Sequence, residues 1–142
     1  YNPAPSRFEA GTGNIADAVG LGAALEYVGS IGLESIRQYE HRLLEYALGE
    51  LNQITGVQIV GNATNRAAVI SFLVDGFTTE EVNKILAAEG IAVRAGHHCA
   101  QPILRRLGIE STVRASLAFY NTYEEIDLLI KIIKDITKKS RF

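Results

Sequence analysis

The sequence has no methionine and no tryptophan, a single cysteine, and three prolines in 142 residues. Each scarcity excludes something. One cysteine cannot close an internal disulfide, and the chain shows neither a leader-like segment nor an apolar run of about 20 residues. A reducing, cytoplasmic setting away from the membrane is therefore expected. Net charge is only −2, so no general electrostatic pull toward nucleic acid is expected either. A basic cluster at Lys131, Lys134, Lys138, Lys139 and Arg141 falls at the end of a helical pattern, where cations suit the dipole. A chain that lacks methionine and opens on Tyr1-Asn2-Pro3-Ala4-Pro5 reads as a piece of a longer protein.

What is present is a globular profile, 47% hydrophobic and 21% charged, long enough for one domain to bury about two-thirds of its unfolded surface. The chemistry concentrates in Arg94-Ala95-Gly96-His97-His98-Cys99-Ala100-Gln101-Pro102, which holds the only cysteine, two of the three histidines and an arginine. A thiolate is the nucleophilic form of cysteine and needs positive or dipolar neighbours to form near neutral pH. Arg94, His97 and His98 supply them, Gly96 permits a tight turn, and Pro102 suits a first helical turn, which puts Cys99 near a helix N-terminus. A lone cysteine is often a small buried hydrophobe, but two histidines and an arginine are unusual company for one. Adjacent His and Cys without a second distant cluster match none of the usual zinc spacings, so no metal is expected.

Residues 1–14 are rich in Pro, Gly and Asn and read as an extended arm. Gly11-Thr12-Gly13-Asn14 leads into a helix with Ile15, Val19, Gly22, Ala23 and Glu26 on one face and Gly29 as terminator. The free N–H groups at its start could hold a phosphate. A second helix follows Gly32, with Ile36, Leu43, Leu44, Ala47, Leu48 and Leu51 as its stripe and an end near Gly56. Strands are expected at Val57 to Val60 and Ala67 to Val74, then a helix from the capping box Thr78-Thr79-Glu80-Glu81 to Gly90. A strand at Ile91 to Arg94 would deliver Arg94 to the cysteine loop, and Ala100 to Leu107 would form a short helix.

In Thr112-Val113-Arg114-Ala115-Ser116, alternation puts Val113 and Ala115 on one face and Arg114 and Ser116 on the other. Arg114 is either a surface arginine or a fork for a substrate carboxylate. A second capping box, Thr122-Tyr123-Glu124-Glu125, opens a terminal helix with Ile126, Leu129, Ile130, Ile133 and Ile136 as its stripe. This order predicts an α/β two-layer sandwich with a mainly antiparallel sheet.

The cysteine loop, followed by Val113-Arg114-Ala115-Ser116-Leu117-Ala118-Phe119-Tyr120-Asn121-Thr122, resembles the second subgroup of PLP-dependent cysteine desulfurases, SufS-like enzymes related to selenocysteine lyase. Arg7-Phe8-Glu9-Ala10-Gly11-Thr12 and Gly20-Leu21-Gly22-Ala23-Ala24-Leu25-Glu26-Tyr27 match as well. The resemblance implies fold type I of the PLP-dependent transferases, in the wider class V aminotransferase group. Residues 1–14 would be an arm from a missing PLP-binding large domain and 15–142 the small C-terminal domain. It further implies that Cys99 takes sulfur from L-cysteine and carries it as a persulfide, leaving alanine, for iron–sulfur cluster assembly. By the same resemblance Arg114 binds the substrate carboxylate and Arg94 lines the site. His97 and His98 carry over as part of the loop, and the match does not fix which of them touches thiol or substrate. Thr12 matches a threonine that reaches across a homodimer interface to the partner's pyridoxal 5′-phosphate.

Two departures stand out. Gly13 replaces a proline common after the Gly-Thr pair. No lysine in this chain corresponds to the one that holds PLP: Lys84 falls mid-helix and Lys131, Lys134, Lys138 and Lys139 fall on the terminal helix. The chain alone is therefore expected neither to hold PLP covalently nor to turn over cysteine. The alternatives are a standalone persulfide carrier, which has no need of a carboxylate grip, and a structural small domain in which Cys99 is idle. The family shares one site plan across cysteine, selenocysteine and cysteine sulfinate, and the motifs do not choose among them or name the sulfur-acceptor protein. If the arm and first helix normally pack on a missing domain, they should expose an apolar patch here.

Overall fold

The computed structural model describes residues 2–139, Lys139 by its backbone alone, so Arg141 of the basic cluster and the Lys139 side chain lie outside the described residues. The chain forms two compact units divided between Ile36 and Arg37. In the first, the arm contains a 3-10 turn at Ser6–Phe8 and leads into helix α1, Ile15–Ile31. Asn14 caps α1 by accepting the Asp17 N–H at 3.1 Å. Gly29 does not end the helix, contrary to the sequence expectation. One interior glycine costs only about 1 kcal/mol relative to alanine, which a 17-residue helix absorbs. The stop comes at Gly32, whose φ of +91° turns the chain and whose N–H closes on Val28 O.

Nothing on α1 is buried, although it is apolar on every side. Val19 is 70%, Leu25 64% and Leu21 61% exposed, so the expected apolar patch is present.

Helix α2, Leu33–Leu51, carries the chain into the second unit. There it is followed by β1 (Val57–Val60), β2 (Val69–Val74), α3 (Thr79–Ala88), β3 (Arg94–Gly96), α4 (Gln101–Arg106), β4 (Thr112–Ser116) and α5 (Tyr123–Lys139). The four strands form one sheet in the order β1-β2-β4-β3, with every neighbouring pair antiparallel. Alternation sends Ile70, Phe72, Val74, Val113 and Ala115 into a core with Leu43, Leu44, Ala47, Leu48 and Leu51 of α2, Val82 and Leu86 of α3, and the α5 stripe. All three long helices of this unit thus pack against one sheet face. The opposite face carries Ser71, Thr112, Arg114 and Ser116. The result is the expected two-layer α/β sandwich with an antiparallel sheet.

Both capping boxes form. Thr78 accepts from Glu81 N while the Glu81 carboxylate accepts the Thr78 N–H at 2.8 Å, and Thr122 with Glu125 repeats the pattern. The Thr78 bonds hold the Glu81 carboxyl below the usual glutamate range, and Glu125 is held below it first by the Asn121 side-chain amide, which donates to it at 3.0 Å, and then by the Thr122 N–H.

Two boundaries differ most from the sequence reading. α2 stops at Leu51 rather than near Gly56, and a turn ending at Gly56, φ +89°, leads into β1. β3 begins at Arg94 instead of ending there. The Ile91 N–H is already spent on Leu86 O in the close of α3, and β4 offers Thr112 to Arg114 as partners for Gly96 to Arg94.

Candidate functional site

The site grows from the edge of the sheet. β3 pairs with β4 so that Arg94 stands opposite Arg114, Ala95 opposite Val113 and Gly96 opposite Thr112. Paired antiparallel residues share a face, so the two arginines stand side by side on the face away from the core. Like charges in that position oppose folding, and the arrangement suits an anion that both guanidiniums can grip. Arg114 is half-buried, and its Nε is buried without a hydrogen-bond partner among the described residues.

Past β3 the backbone turns sharply. Gly96 has φ +120°, and His98 and Cys99 follow at +54° and +56°. Left-handed conformation costs a residue with a Cβ roughly 1–2 kcal/mol, and here two such residues are consecutive. Three contacts hold them. The Cys99 N–H donates to His97 Nδ1 at 3.0 Å, and the Ala100 N–H donates to His97 O at 2.8 Å. His98 Nε2 lies 3.1 Å from Thr112 O and 2.9 Å from Thr112 Oγ1. The turn leaves Cys99 exposed, one residue before the α4 cap at Ala100, with Pro102 in the first helical turn as expected.

A carbonyl oxygen only accepts, so His98 Nε2 carries the proton toward Thr112. His98 Nδ1 is then a bare acceptor, buried and without a partner. Burial holds His98 below the ordinary imidazole value; the charges of Arg114 and Arg94 push the same way, and the bond to the Thr112 carbonyl opposes them. The neutral form of the ring is thus favoured.

The cysteine loop, Arg94 and Arg114 therefore come together through one strand pairing. Thr112 belongs with them, although its place in an alternating strand gave it no functional reading. The available signal was its parity with Arg114 and Ser116, on the face opposite Val113 and Ala115. Thr12 lies in the first unit, exposed, in a shallow recess lined by Glu9, Ala10, Gly11, Thr12 and Gly13. Asn14 uses one of the free N–H groups of α1, and Asp17 brings a negative charge to its first turn.

The described lysine side chains stand elsewhere. Lys84 is exposed on α3 and Lys131 on α5, Lys134 pairs with Glu50 at 3.2 Å and Lys138 with Asp135 at 3.1 Å. The thiol and guanidinium set suits the substrate side of a PLP site, and none of these lysines belongs to the strands or loop that build it.

This constellation on a small antiparallel α/β domain belongs to a known group: the aminotransferase class-V family matches residues 1–129, and the chain is a member of it. Its relatives narrow the picture. It is 63% identical over 136 residues to the cysteine desulfurase of Synechococcus elongatus, covering 96% of this chain and 22% of that protein. An apo cysteine desulfurase from Thermococcus onnurineus superposes with a TM-score of 0.90 at 40% identity, covering 95% of this chain and 34% of that one. A cysteine desulfurase of Escherichia coli, solved as its S-sulfonic acid, gives 0.86 at 33% identity, with 97% of this chain and 34% of that one covered. The chain thus spans between about a fifth and a third of the length of these relatives.

Proposed function

We propose that this chain is the thiol-bearing part of a PLP-dependent cysteine desulfurase that moves sulfur from L-cysteine to Cys99 as a persulfide, leaves alanine, and passes the sulfur to an acceptor protein for iron–sulfur cluster assembly. The observation that carries this reading is the pairing of Arg94 and Arg114 on one sheet face, on the strands that also fix the Cys99 turn. Two guanidiniums on one sheet face, on strands that lead into the loop of an exposed thiol, suit a small substrate with a carboxylate at one end and sulfur at the other. A persulfide carrier needs the thiol and not the grip.

In this reading Arg114 binds the substrate carboxylate through parallel N–H donors of its guanidinium, and Arg94 shares the charge. When bound, PLP acts as an electron sink and weakens the substrate's bond between Cβ and sulfur. The Cys99 thiolate attacks that sulfur. The new S–S bond forms as the C–S bond breaks, the electron pair returns to carbon, and a proton completes alanine. His98, neutral and anchored on Thr112, keeps the turn in place without adding a positive charge of its own. Thr12 contacts the phosphate in the partner subunit of a homodimer.

The lysine that holds PLP is supplied by a large domain outside this chain, of which residues 1–14 are the arm and 15–142 the small-domain complement. The isolated chain therefore does not turn over cysteine. The test is alanine release from L-cysteine by the full-length protein and by its Cys99→Ser variant. Loss of release in the variant, with PLP absorbance unchanged, supports the reading; equal release by both overturns it.

A further inference from the structure

Thr112 is the one polar side chain in this region that is wholly buried and whose hydroxyl reaches the cysteine loop. Its backbone pairs with Gly96 in the sheet, so it is fixed to the same strands that carry the arginines. Its carbonyl and hydroxyl oxygens both lie against His98 Nε2, at 3.1 and 2.9 Å. His98 is also the first of the two left-handed residues, and the adjoining Cys99 and Ala100 N–H groups are both held by His97.

We propose that Thr112 is the positioning residue of the cysteine turn: by accepting the His98 Nε2–H with two oxygens it fixes one imidazole tautomer and clamps the pair of left-handed residues that present Cys99. The argument is one of anchoring. Two consecutive left-handed residues persist only where the surroundings over-determine them. The bonds from His97 are internal to the loop and would travel with it if it relaxed. The His98–Thr112 contact is the one described hydrogen bond from a loop side chain to the sheet. Committing the proton to Nε2 leaves His98 Nδ1 as an acceptor, buried and without a partner among the described residues. Arg114 on β4 and Arg94 on β3 bring positive charge toward the ring, which discourages a second proton. Thr112 touches no substrate in this scheme and acts only through His98.

The functional weight of this proposal rests on the desulfurase reading, but its test does not. Nitrogen NMR of the 142-residue chain should show His98 as the neutral Nε2–H tautomer at pH 7; the Nδ1–H tautomer in the unsubstituted chain overturns the proposal without any variant. Thr112→Val keeps the shape and removes one of the two acceptor oxygens. A hydrogen bond of ordinary net strength corresponds to about a fivefold change in an equilibrium. In T112V the Cys99 and Ala100 amides should exchange with solvent about fivefold faster, a second His98 tautomer should appear, and the core amides of Phe72 and Val113 should keep their rates. Thr112→Ser should restore both signals. Unchanged loop exchange and tautomer in T112V, or equal acceleration in the core, would mean that Thr112 is only a packing residue. Because neither readout is turnover, the proposal can fail while desulfurase activity stands, and the reverse.

Discussion

Replacing Arg94 by glutamine should make the ligand-free chain more stable, not less. Arg94 and Arg114 are register partners across β3 and β4, so their side chains leave the same face of the sheet side by side. A like-charged pair directly opposite destabilises a sheet by about 0.2–1 kcal/mol. Arg94 is exposed, so the lower half of that range applies at ordinary ionic strength. For a chain of this size 1 kcal/mol is worth roughly 2–4 °C, so R94Q should raise the thermal midpoint by about 1–2 °C at low salt. The gain should fade with salt, because the Debye length shrinks from about 10 Å at 0.1 M to about 3 Å at 1 M. The assay is thermal unfolding of both proteins in 20 mM and 1 M sodium chloride. A drop in midpoint on substitution, or a gain that ignores salt, would refute the idea that the two guanidiniums repel each other while they wait for an anion.

Other consequences follow from the same geometry. Arg114→Lys in the full-length protein keeps the charge but loses the fork, and hydrogen bonds to charged groups are worth about 1.5–3 kcal/mol. kcat/KM for cysteine, read from alanine release, should fall about 10- to 100-fold. Native His98 resists protonation more than an unfolded histidine of pKa about 6.5. The unfolded state therefore binds the extra proton first, and stability should fall as pH drops from 7 through about 6.5, levelling off below the lowered native value. Urea unfolding of His98→Gln should lack that component, whereas the loss from Glu81 and Glu125 begins only as pH falls through the usual glutamate value and completes below their lowered native ones. The bare apolar surface of α1 should bind a hydrophobic dye, and Leu21→Lys with Leu25→Lys should abolish most of that signal; a chain that never bound dye would contradict the exposure seen there.

Local signals were the most legible in the sequence. The capping boxes at Thr78 and Thr122 form as read, because donor and acceptor lie three residues apart and need nothing from the rest of the fold. The stripes of α2 and α5 and the alternation of β4 were equally plain, since one buried face leaves a period in the sequence. β3 was misplaced because its bounds are set by its partner: Ile91 and Val93 are the stronger strand formers, but the Ile91 N–H is spent on Leu86 O and the β4 register pairs Arg94 to Gly96. Gly29 looked like a stop because glycine often is one, but the turn with positive φ belongs to Gly32. The cysteine loop was visible as a cluster. Its left-handed turn and its anchor on Thr112 were not, because His98 and Thr112 are 14 residues apart and meet only through the sheet.

The central claim is that Cys99 receives sulfur, and intact-mass analysis tests it most directly. With PLP and L-cysteine, the full-length protein should gain about 32 Da, one sulfur atom, localised to Cys99 and removed by a reductant, while this chain treated alone should gain nothing. No gain on Cys99 in the full-length protein, or the same gain by the isolated chain, would contradict the account.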